Sequence, residues 1–171
     1  MKKGNLNILI VTIFLCLGMQ SIAQKSGHLN FGNLIAMLPE TKSADIELES
    51  YHKVLIQKSE AMVAKLQEEN NNFINDAKSG MLTSAQQSEN EAYVLNKEQE
   101  ILMYQQQIAQ LLDQKREELL SPIVKRANQA IKDVAEEQGY IIVFDTSVFN
   151  AVLYAMESDD LMPQVKHKLG I

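Results

Sequence analysis

The most constraining feature of the sequence is a long stretch that is almost free of helix breakers. Between Pro39 and Pro122, residues 40–121 include no proline and only one glycine, Gly80. Glu, Gln, Lys, Ala and Leu dominate the stretch, and these residues favour helix, whereas glycine and proline disfavour it most. The stretch therefore predicts long helices that are interrupted once, near the middle.

Apolar residues within this stretch recur at the spacing of one helix face. Before Gly80, steps of three or four residues with polar gaps connect Ala44, Leu48, Tyr51, Leu55, Met62, Leu66, Phe73 and Ala77. After Gly80, Val94, Ile101 and Ile108 recur every seven residues, and Leu112 and Leu119 extend the same line. A seven-residue repeat is typical of left-handed coiled-coil packing. We therefore expect two antiparallel helices, packed along a seam formed by these residues.

Residues 79–83 interrupt the pattern and predict the tip of this hairpin. Thr83 and Gln86 have the spacing of a capping box, so a new helix is expected to begin at Thr83. Each arm then has nearly forty residues and a length of roughly 55–60 Å. The seam is thin, because polar residues interrupt it or lie beside it; they are Lys58, Glu69, Asn70 and Gln105. We expect the hairpin to be stable near its base and loose near its tip, because residues 70–72 and 79–80 are poor helix formers.

The two flanks of the hairpin indicate a small body that contains β-strands. Residues 27–31 alternate as a short strand, residues 140–144 form an uninterrupted apolar run, and residues 151–154 suggest another strand. Ser121 and Pro122 resemble the start of a new helix, because proline is favoured in a first turn. The side chains expected in the body strands are Leu29, Phe31, Ile141, Val143, Val152 and Leu153.

The predicted body is small, because residues 24–38 and 121–171 together number only 66. So short a chain with about three strands has a marginal core. We therefore expect other copies of the chain to complete it. The fold class predicted is α+β and mainly helical, with a hairpin over residues 39–120 inserted into the body.

Residues 1–23 have the pattern of a cleavable export signal. Lys2 and Lys3 precede an uncharged apolar stretch from Leu6 to Met19, and small residues precede a cleavage position after Ala23. Fourteen residues of helix span only about 21 Å, which is short of the roughly 30 Å hydrocarbon core. We therefore predict a signal peptide, rather than an anchor, and an exported protein without cysteine.

Composition excludes several classes of function. The net charge of the whole chain is -6, and residues 40–120 alone hold eight Lys and Arg against fifteen Asp and Glu, or -7. This sign argues against nucleic-acid binding. The histidines are scattered and no metal-ligand spacing occurs, while Asp145 has no evident catalytic partner and is interpreted as a turn or cap residue. We expect no catalytic residues, no metal and no cofactor.

A series of short motifs surrounds the long insert. The motifs are Gly27-His28-Leu29-Asn30, Leu38-Pro39-Glu40, Ser121-Pro122-Ile123, Gly139-Tyr140 with Val143-Phe144-Asp145, Val152-Leu153-Tyr154, Asp160-Leu161, Val165 and Leu169-Gly170-Ile171. In their order and spacing they resemble the Skp/OmpH family of periplasmic chaperones, and the resemblance covers the whole exported chain.

The resemblance implies a homotrimer, in which the bodies form a β-barrel and three hairpins project as tentacles. In that family the tentacles enclose unfolded outer-membrane proteins and prevent their aggregation without ATP. The well-known members are basic, whereas this chain is acidic, mostly on its tentacles, so contact with lipopolysaccharide or a membrane surface is not expected to carry over.

The function expected is therefore that of a periplasmic holdase for unfolded outer-membrane or envelope proteins. The residues expected to contact such clients lie on the inward stripe and at the tip; they are Met62, Leu66, Phe73, Met81 and Leu82. The alternative is an exported coiled-coil spacer or adhesin-type interaction protein, which should have a stiffer seam. An efflux adaptor also carries a long hairpin, but the short flanks leave no room for its additional β domains.

Overall fold

The computed structural model of the chain describes residues 25–171, and the predicted signal peptide lies outside them. In chain order the elements are β1 (Lys25–Leu29), α1 (Phe31–Met37), α2 (Pro39–Lys78), α3 (Ser84–Gln138), β2 (Tyr140–Asp145), a 3-10 turn (Glu157–Asp159) and α4 (Met162–Leu169). The protein is mainly helical with a small pair of strands, which confirms the predicted α+β fold class.

Helices α2 and α3 form the predicted antiparallel hairpin. Helix α2 has 40 residues and begins with Pro39 in its first turn, where the missing N–H removes no helical hydrogen bond. Gly80 has a φ of 70°, which glycine adopts readily, and it turns the chain at the tip. Thr83 then caps α3 in a capping box with Gln86. The predicted tip and helix start are confirmed.

The prediction that a new helix begins at Ser121 and Pro122 is wrong. Helix α3 is continuous over 55 residues and includes Pro122 in its interior. An internal proline removes one helical hydrogen bond and costs about 3 kcal/mol. The apolar side chains that follow it offset this cost, because Ile123, Ala127 and Val134 are buried in the body. The boundary predicted after residue 120 therefore falls inside one continuous helix.

Strands β1 and β2 pair in parallel, with Ser26 opposite Ile142 and Leu29 opposite Asp145. The whole helical hairpin is the connection between them. The strand predicted at residues 140–144 is confirmed, but the first strand ends at Leu29, so the placement of Phe31 in it is wrong. Asn30 accepts a hydrogen bond from the Asn33 N–H at 2.8 Å, and this cap starts α1 at Phe31.

The strand predicted at residues 151–154, with Val152 and Leu153, is absent from the described chain. This segment forms turns: the Ala151 N–H donates to the Val148 carbonyl at 3.1 Å, and Asn150 has a positive φ of 60°. A short segment needs a neighbouring strand to satisfy its backbone groups, and the sheet described here has only two strands. The segment is apolar, but none of residues 25–171 forms a strand beside it.

The hydrophobic core lies in the body, at the base of the hairpin. The last turns of α3 supply Ala127, Ala130 and Val134, which pack with side chains from the strands and the short helices. The largest fully buried side chains are Leu29, Leu34, Leu38, Leu161 and Val165. Because one helix forms both the hairpin arm and part of this core, the body holds the hairpin rigidly at its base.

Candidate functional site

The seam of the hairpin is tight near the body and loose towards the tip. Ala44, Leu55, Ile101 and Ile108 are buried between the arms. Between residues 60 and 100, in contrast, no side chain of the described chain is buried. Burial of apolar side chains supplies most of the stability of paired helices, so the outer part of the hairpin opens more easily than its base.

A polar pair interrupts the seam at its middle. Ser59 is buried, and its Oγ accepts a hydrogen bond from Gln105 Nε2 at 3.0 Å. A satisfied polar pair in a coiled-coil seam specifies the register of the helices at some cost in stability. Gln105 was predicted to interrupt the seam or to lie beside it; it is exposed and contacts the seam through Ser59.

Charged and polar contacts between the arms occupy one face of the hairpin, which we call the paired face. Lys115 Nζ lies 2.8 Å from Glu47 Oε1, and Arg126 Nη1 lies 2.5 Å from Glu40 Oε1. Nearer the tip, the Tyr93 hydroxyl donates to the Glu69 carboxylate at 2.8 Å, and the Lys58 amine lies 4.6 Å from the centre of the Tyr104 ring.

The paired face shifts the titration of its own groups. Hydrogen bonds to Glu47 and then Glu118 raise the pKa of Lys115, and the hydrogen bond to Glu69 raises the pKa of Tyr93. Both groups are exposed to solvent, so these contacts align the arms rather than add much stability.

Apolar residues form a stripe along the opposite face, which we call the apolar face; all of them are exposed except Val63, which is half-buried. Three of its residues lie on α2, separated by 7 and 11 positions, and three lie on α3, separated by 7 positions each. These spacings keep each set on one side of its helix. Its six residues are Ile56, Val63, Ile74, Leu95, Leu102 and Ala109. Ile56 and Ala109 line one groove, so both flanks belong to the same face. From Ile56 to Ile74 the stripe is about 27 Å long.

Sequence reasoning missed the apolar face. Leu95 and Leu102 are 59% and 54% exposed, because they lie beside the seam rather than in it. The signal was present as a second seven-residue repeat, Leu95, Leu102 and Ala109, displaced by one residue from the repeat of Val94, Ile101 and Ile108. A displacement of one residue turns a side chain by about 100° around the helix, so the second repeat lies beside the seam and not in it.

The structure separates the five residues predicted to contact clients into two groups. Met62, Leu66 and Phe73 are half-buried in the seam, where they face the other arm. Met81 is 70% exposed at the tip, and Leu82 beside it is half-buried. The predicted residues therefore do not form one continuous surface in the closed hairpin.

The body exposes a second apolar surface, which we call the assembly surface. Phe149, Leu153 and Tyr154 are 91%, 87% and 83% exposed, in the turns after β2. It also includes Ile141, Ile142, Phe144, Val148 and Met156. Eight exposed apolar side chains on one strand and in the turns after it indicate an interaction surface. Of the predicted body residues, Leu29 is buried and Val143 packs on the core, while Ile141 and Leu153 point outward.

Strand β2 has a free edge beside the assembly surface. Within the described chain it pairs only with β1, whose own opposite side is occupied by a bridge between His28 and Asp160. A two-stranded sheet is marginally stable by itself in water. The free edge could accept a further strand.

Asp145 joins the end of β2 to the start of α1. Its Oδ1 accepts hydrogen bonds from the backbone N–H groups of Phe31 at 3.1 Å and Ser147 at 2.8 Å, and its Oδ2 accepts one from the Ser147 hydroxyl. Partial burial raises the pKa of this carboxyl, but these hydrogen bonds outweigh burial and lower the pKa overall. The prediction of a turn and cap role is confirmed.

Residues 25–171 contain no group of three or more His, Cys, Asp or Glu side chains arranged to hold a metal ion. In the same part of the chain, none of the helices is both long and apolar enough to cross a membrane.

Residues 25–169 match the family model described as outer membrane protein (OmpH-like). Among the solved structures that match, a protein from Caulobacter crescentus, described as an OmpH-like outer membrane chaperone, is 17% identical with a TM-score of 0.69. The alignment covers 84% of this chain and 82% of that chain. At this identity the likeness shows the fold. A comparison with curated proteins gives no significant match.

Proposed function

Because the chain belongs to the OmpH-like outer membrane protein family, we propose that it is a holdase chaperone for unfolded outer-membrane or other envelope proteins. The apolar face of the hairpin is the observation that carries the proposal. A single exposed leucine is ordinary on a protein surface, but a stripe of six apolar residues about 27 Å long is a surface for another chain. The Caulobacter protein, described as an outer membrane chaperone, has the same fold, which also supports the proposal.

The active form is proposed to be a homotrimer. Residues 24–38 and 121–171 act as the body, and residues 39–120 as the tentacle, with α3 continuous between them. The assembly surface and the free edge of β2 support this arrangement, because they leave apolar side chains and backbone groups that another copy would cover. Three bodies would then complete a β-barrel, and three hairpins would enclose a cavity.

Clients are held in this cavity by many weak contacts. The loosely packed outer half of the hairpin, between residues 60 and 100, lets the arms adapt to different chains. Met81 and Leu82 extend the binding surface to the tip, while Met62, Leu66 and Phe73 reach a client where the arms separate. A surface that can repack favours promiscuous binding and easy release. A stiff spacer, the alternative function, needs a seam that stays buried along its length.

The site of action is proposed to be the periplasm, reached through the signal peptide at residues 1–23. The activity needs no ATP, metal or cofactor and involves no catalysis, since holding a client requires only reversible contacts. Nucleic acid and lipopolysaccharide are not proposed as partners, because the tentacle carries a charge of -7 over residues 40–120.

A matched pair of substitutions tests the proposal. Leu102 and Met103 are neighbours on α3 with similar exposure, 54% and 57%, but Met103 points away from the apolar face. We expect the double variant Leu95→Ser, Leu102→Ser to suppress aggregation of an unfolded outer-membrane protein several-fold less well than the wild type. The control variant, Ile46→Ser with Met103→Ser, should retain full suppression.

Light scattering of the diluted client measures suppression, and sedimentation confirms that each variant keeps its oligomeric state. Full suppression by the Leu95 and Leu102 variant in an intact assembly would refute the proposed role of the apolar face. No suppression by the wild-type protein itself would refute the holdase function.

A further inference from the structure

The charge of the apolar face is one-sided along the length of its stripe, whereas Lys53 and Lys78 lie one helical turn beyond its two ends. Between the levels of Ile56 and Ile74, helix geometry places three ionisable side chains beside the stripe. All three are glutamates: Glu60, Glu91 and Glu98. The other polar residues beside the stripe are uncharged; they are Ser59, Gln67, Asn70, Gln105 and Gln106.

The lysines of this part of the hairpin lie on other sides. Lys58 contacts the Tyr104 ring on the paired face, and Lys65 and Lys97 have ion pairs with Glu69 and Glu100 on that same side. Within residues 25–171, in contrast, none of the three glutamates of the apolar face forms an ion pair, and all three are exposed. The apolar face therefore presents unneutralised negative charge along its stripe.

On the basis of the proposed holdase function, we propose that the apolar face selects extended client segments in which apolar residues are flanked by Lys or Arg. The stripe is about 27 Å long and matches about eight extended residues. Apolar side chains of such a segment would contact Ile56, Leu102 and Leu95, while its flanking cations would lie near the glutamates. A segment flanked by acidic residues would face like charge instead, which suppresses binding.

Two labelled peptides of equal length test this selection. They share an apolar centre of alternating valine and serine and differ only in their flanks, which are two lysines or two glutamates at each end. Fluorescence anisotropy with the full exported chain should give a Kd roughly tenfold lower for the lysine-flanked peptide at low salt, because several exposed charge pairs act together. The difference should shrink at high salt, since exposed charges are screened.

Two triple variants identify the source of the selection. Glutamine replaces glutamate in both, because the two residues have similar helix propensity and similar size. The variant of the apolar face changes Glu60, Glu91 and Glu98. The control variant removes the same charge from other sides of the hairpin by changing Glu68, Glu89 and Glu117.

The proposal requires the variant of the apolar face to lose the preference between the two peptides and the control variant to keep most of it. Equal affinity of the wild type for both peptides, or equal loss of preference in both variants, would overturn the charge selection and leave the holdase function intact. If neither peptide binds and an unfolded outer-membrane protein is not held either, both the selection and the holdase function are overturned.

Discussion

The contact between Gly27 and Leu161 gives a sharp test of how the body is packed. Gly27 lies in β1, and a Cβ placed on it would lie 2.2 Å from Leu161 Cδ1 and 2.9 Å from Tyr140 Cε1. Leu161 is fully buried, so its methyl group cannot move aside into solvent. Gly27→Ala should therefore destabilise the protein by about 1–3 kcal/mol, which is the usual cost of overpacking a core.

The partner substitution acts by the opposite mechanism. Leu161→Ala removes three carbon atoms from a fully buried side chain and should cost about 2–5 kcal/mol, because it leaves a cavity. In the double variant the new methyl group at position 27 enters the space that Leu161 vacates. We expect the clash to disappear and about 1 kcal/mol of the cavity cost to be recovered.

The double variant should therefore be more stable than the sum of the two single changes predicts by about 2–4 kcal/mol, because it avoids the clash and also recovers part of the cavity cost. Urea denaturation of the four proteins, followed by circular dichroism at one protein concentration, measures this coupling. Additive losses would refute the contact between Gly27 and Leu161. Gly80→Ala is a control, since nothing lies within 4 Å of its Cβ position and only its positive φ opposes the change.

Three other predictions concern the hairpin and its link to the body. Amide hydrogen exchange should be fastest near the tip, between residues 60 and 100, and slowest in α3 after Pro122; uniform protection along the arms would contradict the loose outer seam. Pro122→Ala should raise the free energy of unfolding in urea by about 2 kcal/mol, because it restores one helical hydrogen bond; an unchanged midpoint would contradict this. The lowered pKa of Asp145 means that its stabilising effect is present above the unfolded pKa, near 3.8, and is lost as the pH falls through the lower folded value. In urea titrations, Asp145→Asn should therefore be less stable than the wild type near neutral pH and approach it in acid, whereas a constant difference would contradict the assignment.

The hairpin could be predicted from sequence because its signals are local. Helix propensity, the seven-residue repeat and the capping box of Thr83 each depend on residues only a few positions apart. All three indicate the same element, so the tip near Gly80 and the second helix start were correct. Pro122 predicted a helix start because proline is more frequent in a first turn than inside a helix. Only the buried contacts made by Ile123 and Ala127 explain why the helix continues.

The candidate site was harder to predict, because it depends on which side of each arm faces the other. Met62 and Leu66 have the spacing of a binding stripe, but the second arm covers them in part. Leu95 and Leu102 were overlooked because they adjoin the seam residues in sequence and differ from them only in direction. The burial that separates the two sets is a property of the pair of helices.

The body could be predicted only in part, for a related reason. The run that became β2 is continuous and apolar, and it formed a strand as expected. Val152 and Leu153 are also apolar, yet they remain in turns, because the described residues 25–171 supply no neighbouring strand. The exposure of Leu153 and Phe149 is the physical basis for the trimer proposed above.

Site-specific photocrosslinking tests the central claim most directly. A photoreactive phenylalanine analogue is placed at Leu102 in one variant and at Met103 in another, each in the assembled protein with a bound, unfolded outer-membrane protein. The account predicts strong crosslinks to the client from position 102 and weak crosslinks from position 103. Equal crosslinking from both positions, or stronger crosslinking from position 103, would contradict a client-binding role for the apolar face.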